Sequence, residues 1–229
     1  MQWPLDFVIT LPIMNHLSKP TDSTEHMQIM VKIGLWLIGI TTVLTIAAGV
    51  AWWVVIRGVE TPDYQVVIQD GRLELRDYPA LRIAEVTRSG DRETALRSGF
   101  RPLAGYIFAR EREGERIAMT APVTQTSDEG AQWRVAFIMP KQYSLDDLPT
   151  PTDADLTLRE MPAQLMAAIR FSGRADQAAI DAQEALLADW LNAQQLTPIA
   201  APIYAYYDDP MTPGFLRRNE ILIPVHPSD

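Results

Sequence analysis

Residues 73–90 read LELRDYPALRIAEVTRSG, and residues 156–173 read LTLREMPAQLMAAIRFSG. They align without a gap at an offset of 83, and eight of the 18 positions are identical: Leu73/Leu156, Leu75/Leu158, Arg76/Arg159, Pro79/Pro162, Ala80/Ala163, Ala84/Ala167, Ser89/Ser172 and Gly90/Gly173. Ungapped identity that includes both the Pro and the Gly marks a duplicated unit. Each copy opens with an alternating strand (Leu73, Leu75; Leu156, Leu158) and turns at its Pro. It then continues into a second apolar-rich strand, residues 81–86 or 165–171. A Ser-Gly turn follows and leads into a helix. After the first copy, Leu96, Phe100, Leu103 and Ile107 recur at i, i+4, i+7 and i+11 and form one apolar stripe. Pro102 inside that stripe predicts a kink or a restart. After the second copy the corresponding stripe is Ala179, Ala182, Leu186 and Trp190, ending near Asn192.

Outward from the repeat, residues 64–69 pair back on 72–76 through Asp70-Gly71, a strong two-residue hairpin signal. Residues 117–125 and 132–139 flank a turn at 127–130, and strands at 203–207 and 220–225 close the chain. Strands outnumber helices and hairpins dominate, which predicts an α+β domain over residues 60–225. Its expected form is an antiparallel sheet curved into a barrel, with one helix in each half (about 64–149 and 150–225).

The chain has 229 residues, with 20 Lys and Arg against 29 Asp and Glu, a net charge of −9. Residues 1–57 carry Lys19, Lys32 and Arg57 against Asp6, Asp22 and Glu25, so the whole imbalance lies in 58–229. Such an acidic region lacks the counterion-releasing surface that nucleic-acid binding needs. The chain has no Cys, which excludes disulfide scaffolds, Cys-based zinc sites, iron–sulfur clusters and thiol nucleophiles. The three His (His16, His26, His226) lie near the ends of the chain and do not suit a three-histidine metal site or a Ser-His-Asp triad. Asp146-Asp147 and Asp208-Asp209 sit in Pro-flanked polar loops and read as solvated surface. No catalytic constellation and no metal site emerges, and the chain reads as a non-enzyme.

Residues 33–56, IGLWLIGITTVLTIAAGVAWWVVI, contain no charge, Pro, Asn or Gln. At about 1.5 Å per residue this run is long enough to cross a hydrocarbon core of about 30 Å with some tilt. Trp36 and Trp52-Trp53 stand near its ends as interfacial aromatic residues do. Gly49-Val50-Ala51 offers the small residues of a signal-peptidase site. The apolar run continues past it through Ile56, which favours an uncleaved anchor. Residues 1–32 read as a disordered tail. Lys32, with Met27 or Met30 as alternative starts, places the N-terminus inside. The expectation is a single-pass protein of the cytoplasmic (inner) membrane with its domain on the periplasmic side.

Several blocks carry a family likeness: ETPDYQVV (60–67), LELRDYP (73–79), SGFRPLAGYI (98–107), RIAMTAPV (116–123), WRVAFIMPKQYSLDDLP (133–149) and FLRRNEILIPV (215–225). In this order they resemble the SOUL haem-binding protein family. The resemblance implies a distorted antiparallel barrel of pseudo-twofold symmetry with two helices, and haem or another tetrapyrrole as ligand. It is also similar in fold to gyrase-inhibitor-like effector-binding domains, which hold small organic molecules in a groove between the halves.

Haem iron takes His, Cys, Met or Tyr. His226 is the domain's one His, so the haem expected here has no His ligand. For Met119, Met139 and Met166 core packing is the better reading. The same holds for half-buried surface placement of the seven Tyr (64, 78, 106, 143, 204, 206, 207). What the resemblance implies instead is an apolar macrocycle lying against the first helix of the domain, with Leu96, Phe100, Leu103, Tyr106 and Ile107 as the wall. Met119, in the Met-Thr-Ala-Pro-Val segment, is a further lining candidate. Propionates favour the planar fork of Arg, and Arg217-Arg218 is the leading pair, with Arg97 and Arg101 as alternatives. Glu220 is a candidate either for ordering that pair or for engaging a cationic ligand. Three readings stay open: a membrane-anchored tetrapyrrole carrier, a groove for another hydrophobic or cationic small molecule, and a ligand-free interaction module.

Overall fold

The computed structural model describes residues 22–57, 59–110, 112–128 and 131–227. The chain divides into two compact units, residues 1–57 and 58–229. In the first unit helix α1 runs Asp22–Arg57. Its stretch His26–Ala47 is long and apolar enough to cross a membrane. The helix starts ahead of the apolar run, which corrects the expectation that residues 22–32 belong to a disordered tail. That segment holds no Pro or Gly, and extending an existing helix costs far less than nucleating one. Residues 1–21 of the expected tail lie outside the described residues.

The second unit is α+β. It contains β1 (Gln65–Asp70), β2 (Leu73–Tyr78), β3 (Leu81–Ser89), α2 (Arg92–Ile107), β4 (Val123–Asp128), β5 (Gln132–Ile138), β6 (Thr157–Met161), β7 (Gln164–Ser172), α3 (Gln177–Ala193), β8 (Leu196–Pro198), β9 (Ile203–Tyr206) and β10 (Arg218–Pro227). The strands form one antiparallel sheet in the order β1-β2-β7-β10-β9-β4-β5-β3-β6, with β8 paired to β10. The pairing path is open, from β1 to β6, so a closed barrel stays an implication of the family likeness.

The repeat becomes an exchange between halves. β2 pairs with β7 and β3 with β6, each first strand of one copy lying against the second strand of the other. The register is conserved residue by residue: Glu74 faces Ala168 and Leu75 faces Ala167, just as Thr157 faces Glu85 and Leu158 faces Ala84. Each copy ends on a glycine in the left-handed region, Gly90 at φ 112° and Gly173 at φ 105°. There the missing Cβ lets the strand turn out of the sheet. Asp91 and Asp176 then cap the two helices, accepting from the amides of Thr94 and Ala179 at 2.9 Å.

Side-chain alternation sorts the sheet into an outer and an inner face. On β7, Ala167 and Ile169 join the core under α3, whereas Met166 and Ala168 face inward. On β5, Val135 and Phe137 lie under α2, whereas Ala136 and Ile138 face inward. The inner cluster gathers residues of β2, β3, β5, β7, β9 and β10, so the sheet curls until its inner face packs on itself.

Three further expectations change. Pro102 lies inside an unbroken α2, with Ser98, the residue four back, on the exposed flank where its unbonded carbonyl meets water. The strand expected at 117–125 begins at Val123, because Pro122 has no N–H for a ladder. Thr120 forms only an isolated bridge to Glu60. On α3 the buried face is Ile180, Leu187, Trp190 and Leu191, and Leu186 is exposed. Between two alanines and a large aliphatic residue, the larger apolar area decides which face is buried.

Candidate functional site

The family resemblance implied a groove wall on α2, and the structure splits that wall in two. Leu103, Tyr106 and Ile107 are buried in the core between α2 and the sheet, with Leu96 and Met119 packed on its edge. Phe100 remains 39% exposed and meets Phe137 edge-on at 5.2 Å. The helix approaches the sheet at Gly99, where a Cβ would stand 2.8 Å from Val135. This face is therefore packed solid and offers a ligand only its rim.

That rim bounds a cleft of about 230 Å³ lined by Arg101, Pro102, Gly105, Tyr106, Arg112 and the 151–156 segment, including Leu156. A Cβ at Gly105 would meet nothing within 4 Å. The Arg112 guanidinium lies over the Tyr106 ring at 5.1 Å and donates to the carbonyls of Tyr106, Glu113 and Glu115 at 2.8–2.9 Å. The Tyr106 hydroxyl donates to the Pro149 carbonyl at 2.8 Å, and burial raises its pKa. Arg112 was missed in the sequence because nothing in its spacing separates it from the neighbouring charges of 110–116.

The seam between the halves holds a second cavity, apolar and only about 60 Å³. That is room for about two waters at liquid density and far below an ordinary ligand pocket. Tyr78, Met166, Tyr207 and Leu222 line it, with Glu85, Arg134 and Arg159 at its rim. Beyond Leu222 on the same face of β10 lies Glu220, fully buried. Its two oxygens accept from Arg76 at 2.7 and 3.2 Å, Arg170 at 3.2 Å, Arg218 at 2.8 and 3.1 Å and the Tyr207 hydroxyl at 2.8 Å. Arg76, itself buried, also reaches Glu74 at 2.7 Å and the Tyr78 hydroxyl at 3.1 Å. Burial pushes the Glu220 carboxyl up, but Arg76 and then Arg218 outweigh it and hold the pKa down at about 2. Burial likewise raises Tyr207, and it pushes Tyr78 up to about 12. With both oxygens engaged, Glu220 orders arginines and has no free valence toward a cation.

Arg217 and Arg218 do not act as a pair. Arg218 joins Glu220, whereas Arg217 turns back to the carbonyls of Thr212 (2.8 Å) and Pro210. Arg97 is exposed and pairs with Glu93 along α2, leaving Arg101 at the cleft. Arg76 was missed because a charged residue opposite Leu73 and Leu75 reads as the solvent face of a half-buried strand, and only the curl of the sheet turns that face inward. His226 is exposed beside the Pro227 carbonyl. Among the described residues no group of His, Asp or Glu is placed to hold a metal ion. The α2 cleft thus offers an apolar rim and two arginines, while His226, the domain's one histidine, stands exposed near the end of β10.

A family profile described as SOUL heme-binding protein matches residues 59–224. The chain belongs to the SOUL haem-binding protein family. This is a family of binding proteins, which supports a haem-binding role. Among its curated relatives, Heme-binding protein 2 of Homo sapiens is 27% identical over 128 residues, 51% of this chain and 62% of that protein. Heme-binding protein 2 of Mus musculus is 27% identical over 112 residues, 46% of this chain and 54% of that protein. The chain thus spans about three fifths or less of those relatives. The SOUL domain is also similar in fold to the EcmrR C-terminal domain, with TM-score 0.54 and 14% identity over 72% of this chain and 98% of that one. A hydrolase from Listeria innocua gives TM-score 0.51 and 13% identity over 70% and 94%.

Proposed function

We propose that this SOUL protein is a membrane-anchored binding or carrier protein for haem or a related tetrapyrrole, without catalysis and without a histidine ligand. The α2 rim cleft is the observation that carries the assignment of the site. It sets Pro102 and the exposed edges of Tyr106 and Leu156 beside two arginines, Arg101 and Arg112. Arginine is the side chain that meets a propionate in bidentate fashion. A cleft of about 230 Å³ takes one edge of a macrocycle and leaves the rest open, as suits a protein that passes its ligand on. The seam cavity is too small for that guest. α1 serves as the anchor, in the cytoplasmic membrane with the domain on the periplasmic side. When bound, haem supplies its own redox and ligand chemistry; the protein's part is shelter and release.

The test is a hemin titration of the full chain in detergent, followed by the Soret band, with Gly105→Trp as the blocking variant. Open space at Gly105, in the last turn of α2, and the higher helix propensity of Trp than of Gly keep the helix intact. Affinity should fall at least about tenfold, equivalent to about 1.4 kcal/mol, with no loss of thermal stability. Unchanged affinity would remove the cleft from the proposal, and absence of any saturable Soret shift in the parent chain would remove haem itself.

A further inference from the structure

The loop between β9 and β10 presents the most exposed large apolar side chains of the domain: Met211 at 83%, Phe215 at 78% and Leu216 at 62%. It is not a slack segment. Arg217 clamps it from inside through the carbonyls of Pro210 and Thr212, and the Asp209 carboxylate accepts from the Met211 amide at 2.6 Å. Gly173 donates to the Gly214 carbonyl at 3.1 Å, which ties the loop to the end of β7. Buried Thr212 sits beneath it. A built loop that holds three apolar side chains in water is shaped for a surface that is not water.

Two observations select that surface. Both roots of the loop join the Glu220 network: Tyr207 donates to Glu220, and Arg218 lies over the Tyr207 ring at 3.8 Å. Tyr64 touches the same network, with Arg76 4.4 Å above its ring and Tyr78 5.0 Å away. Both roots of the apolar loop thus share one network with Tyr64, four residues after Glu60. Only Gly58 and Val59 separate Arg57, the last residue of α1, from Glu60, whose backbone is held by the Ala121 amide at 2.8 Å. Local charge is balanced there, Arg170, Arg174, Arg217 and Arg218 against Asp176, Asp208, Asp209 and Glu220, in a chain whose net charge is −9, and Arg170 and Arg174 are exposed beside the loop.

We infer that the 208–217 loop is a second membrane contact, in which Met211, Phe215 and Leu216 enter the interfacial layer of an anionic bilayer while Arg170 and Arg174 meet its headgroups. Apolar side chains with flanking bases bind interfaces through buried area plus attraction to anionic lipid. The inference rests on α1 being an anchor, and the two are separable by experiment.

The chain has no Cys, so single labels can be placed anywhere. Full-length Leu216→Cys, Leu186→Cys and Val43→Cys would carry an environment-sensitive dye. They would be reconstituted in phosphatidylcholine vesicles, with and without phosphatidylglycerol and nitroxide-bearing lipid. At Leu216 quenching should exceed that at Leu186 by at least about twofold and rise with phosphatidylglycerol, as expected for side chains at about 5–10 Å depth. Arg174→Glu should remove the phosphatidylglycerol dependence. Quenching at Val43 with none at Leu216 would overturn the loop contact and leave the anchor standing. No quenching at Val43 would overturn both. A Leu216 signal that answers instead to hemin in detergent, or to self-association, would make the loop a ligand lid or a dimer contact and overturn the inference.

Discussion

Arg76 and Arg159 occupy one position of a duplicated sequence, yet they live in different chemistry. Arg76 is fully buried and meets Glu220, Glu74 and Tyr78. Arg159 is 38% exposed and makes a two-pronged pair with Glu85 at 2.8 and 2.9 Å. Their backbones are equivalent, since Arg76 faces Met166 and Arg159 faces Ile83, positions again 83 apart. The difference comes from the next strand. Arg170 and Thr87 are equivalent, and they face Glu220 on β10 and Arg134 on β5. Where one half offers an acid, the other offers a base. Glu85, at the position of Ala168, supplies the missing charge from closer to solvent. Duplication fixed the register, and a few charge changes decided which end of the interior is sealed and which carries the rim of the seam cavity.

Breaking the sealed end gives the largest effect. Glu220→Leu leaves the Arg76 guanidinium buried without its main acceptor, which costs about 3–5 kcal/mol. Chemical denaturation of the full chain in detergent measures it. The double variant Arg76→Met with Glu220→Leu should recover all but about 1–2 kcal/mol, because a shape-matched apolar pair replaces a buried ion pair cheaply. If the double variant is no better than the single, the stranded guanidinium is not the cause.

Acid sharpens the same contrast with no mutation. The Glu220 pKa lies at about 2 in the folded chain against an ordinary value of 4.5. A depressed carboxyl stabilises fully above its unfolded pKa. That stabilisation drains away as pH falls from about 4.5 toward 2, by about 3 kcal/mol at about 1.4 per unit. Unfolding free energy measured between pH 6 and pH 2, the range that spans both values, should fall steeply in the parent chain and clearly less in Glu220→Leu. Equal slopes would mean that other carboxylates govern acid unfolding.

What the sequence could reveal follows the same line. Strand order within each copy, the Asp70-Gly71 hairpin and both strand-to-helix turns were legible, because each rests on a local feature: an alternating pattern or a Gly at positive φ. The exchange of strands between copies was not legible, since pairing depends on contacts across the two halves. The stripe on α3 was misplaced because alanines fit either face, and burial went to Ile180, Leu187 and Leu191. Residues marked as a ligand wall on α2 proved to be core for a similar reason. An apolar stripe shows which face is buried, and Leu103 and Ile107 are buried by the sheet. Arg217 and Arg218, adjacent in sequence at a strand start, diverge because alternate side chains leave a strand on opposite faces.

The rim pair sets the lower end of the scale. Glu85→Gln keeps the shape of the side chain and one acceptor oxygen but removes the charge facing Arg159. Arg159 can then turn to water, which Arg76 cannot, and a half-buried pair of this kind contributes about 1 kcal/mol. Its contribution should shrink further in high salt, where screening reaches such a pair, while that of Glu220 should hold. Denaturation of Glu85→Gln and Glu220→Leu at low and high ionic strength checks both statements together. A loss at Glu85 as large as that at Glu220, insensitive to salt, would show that both ends are sealed and that the duplication kept more than its register.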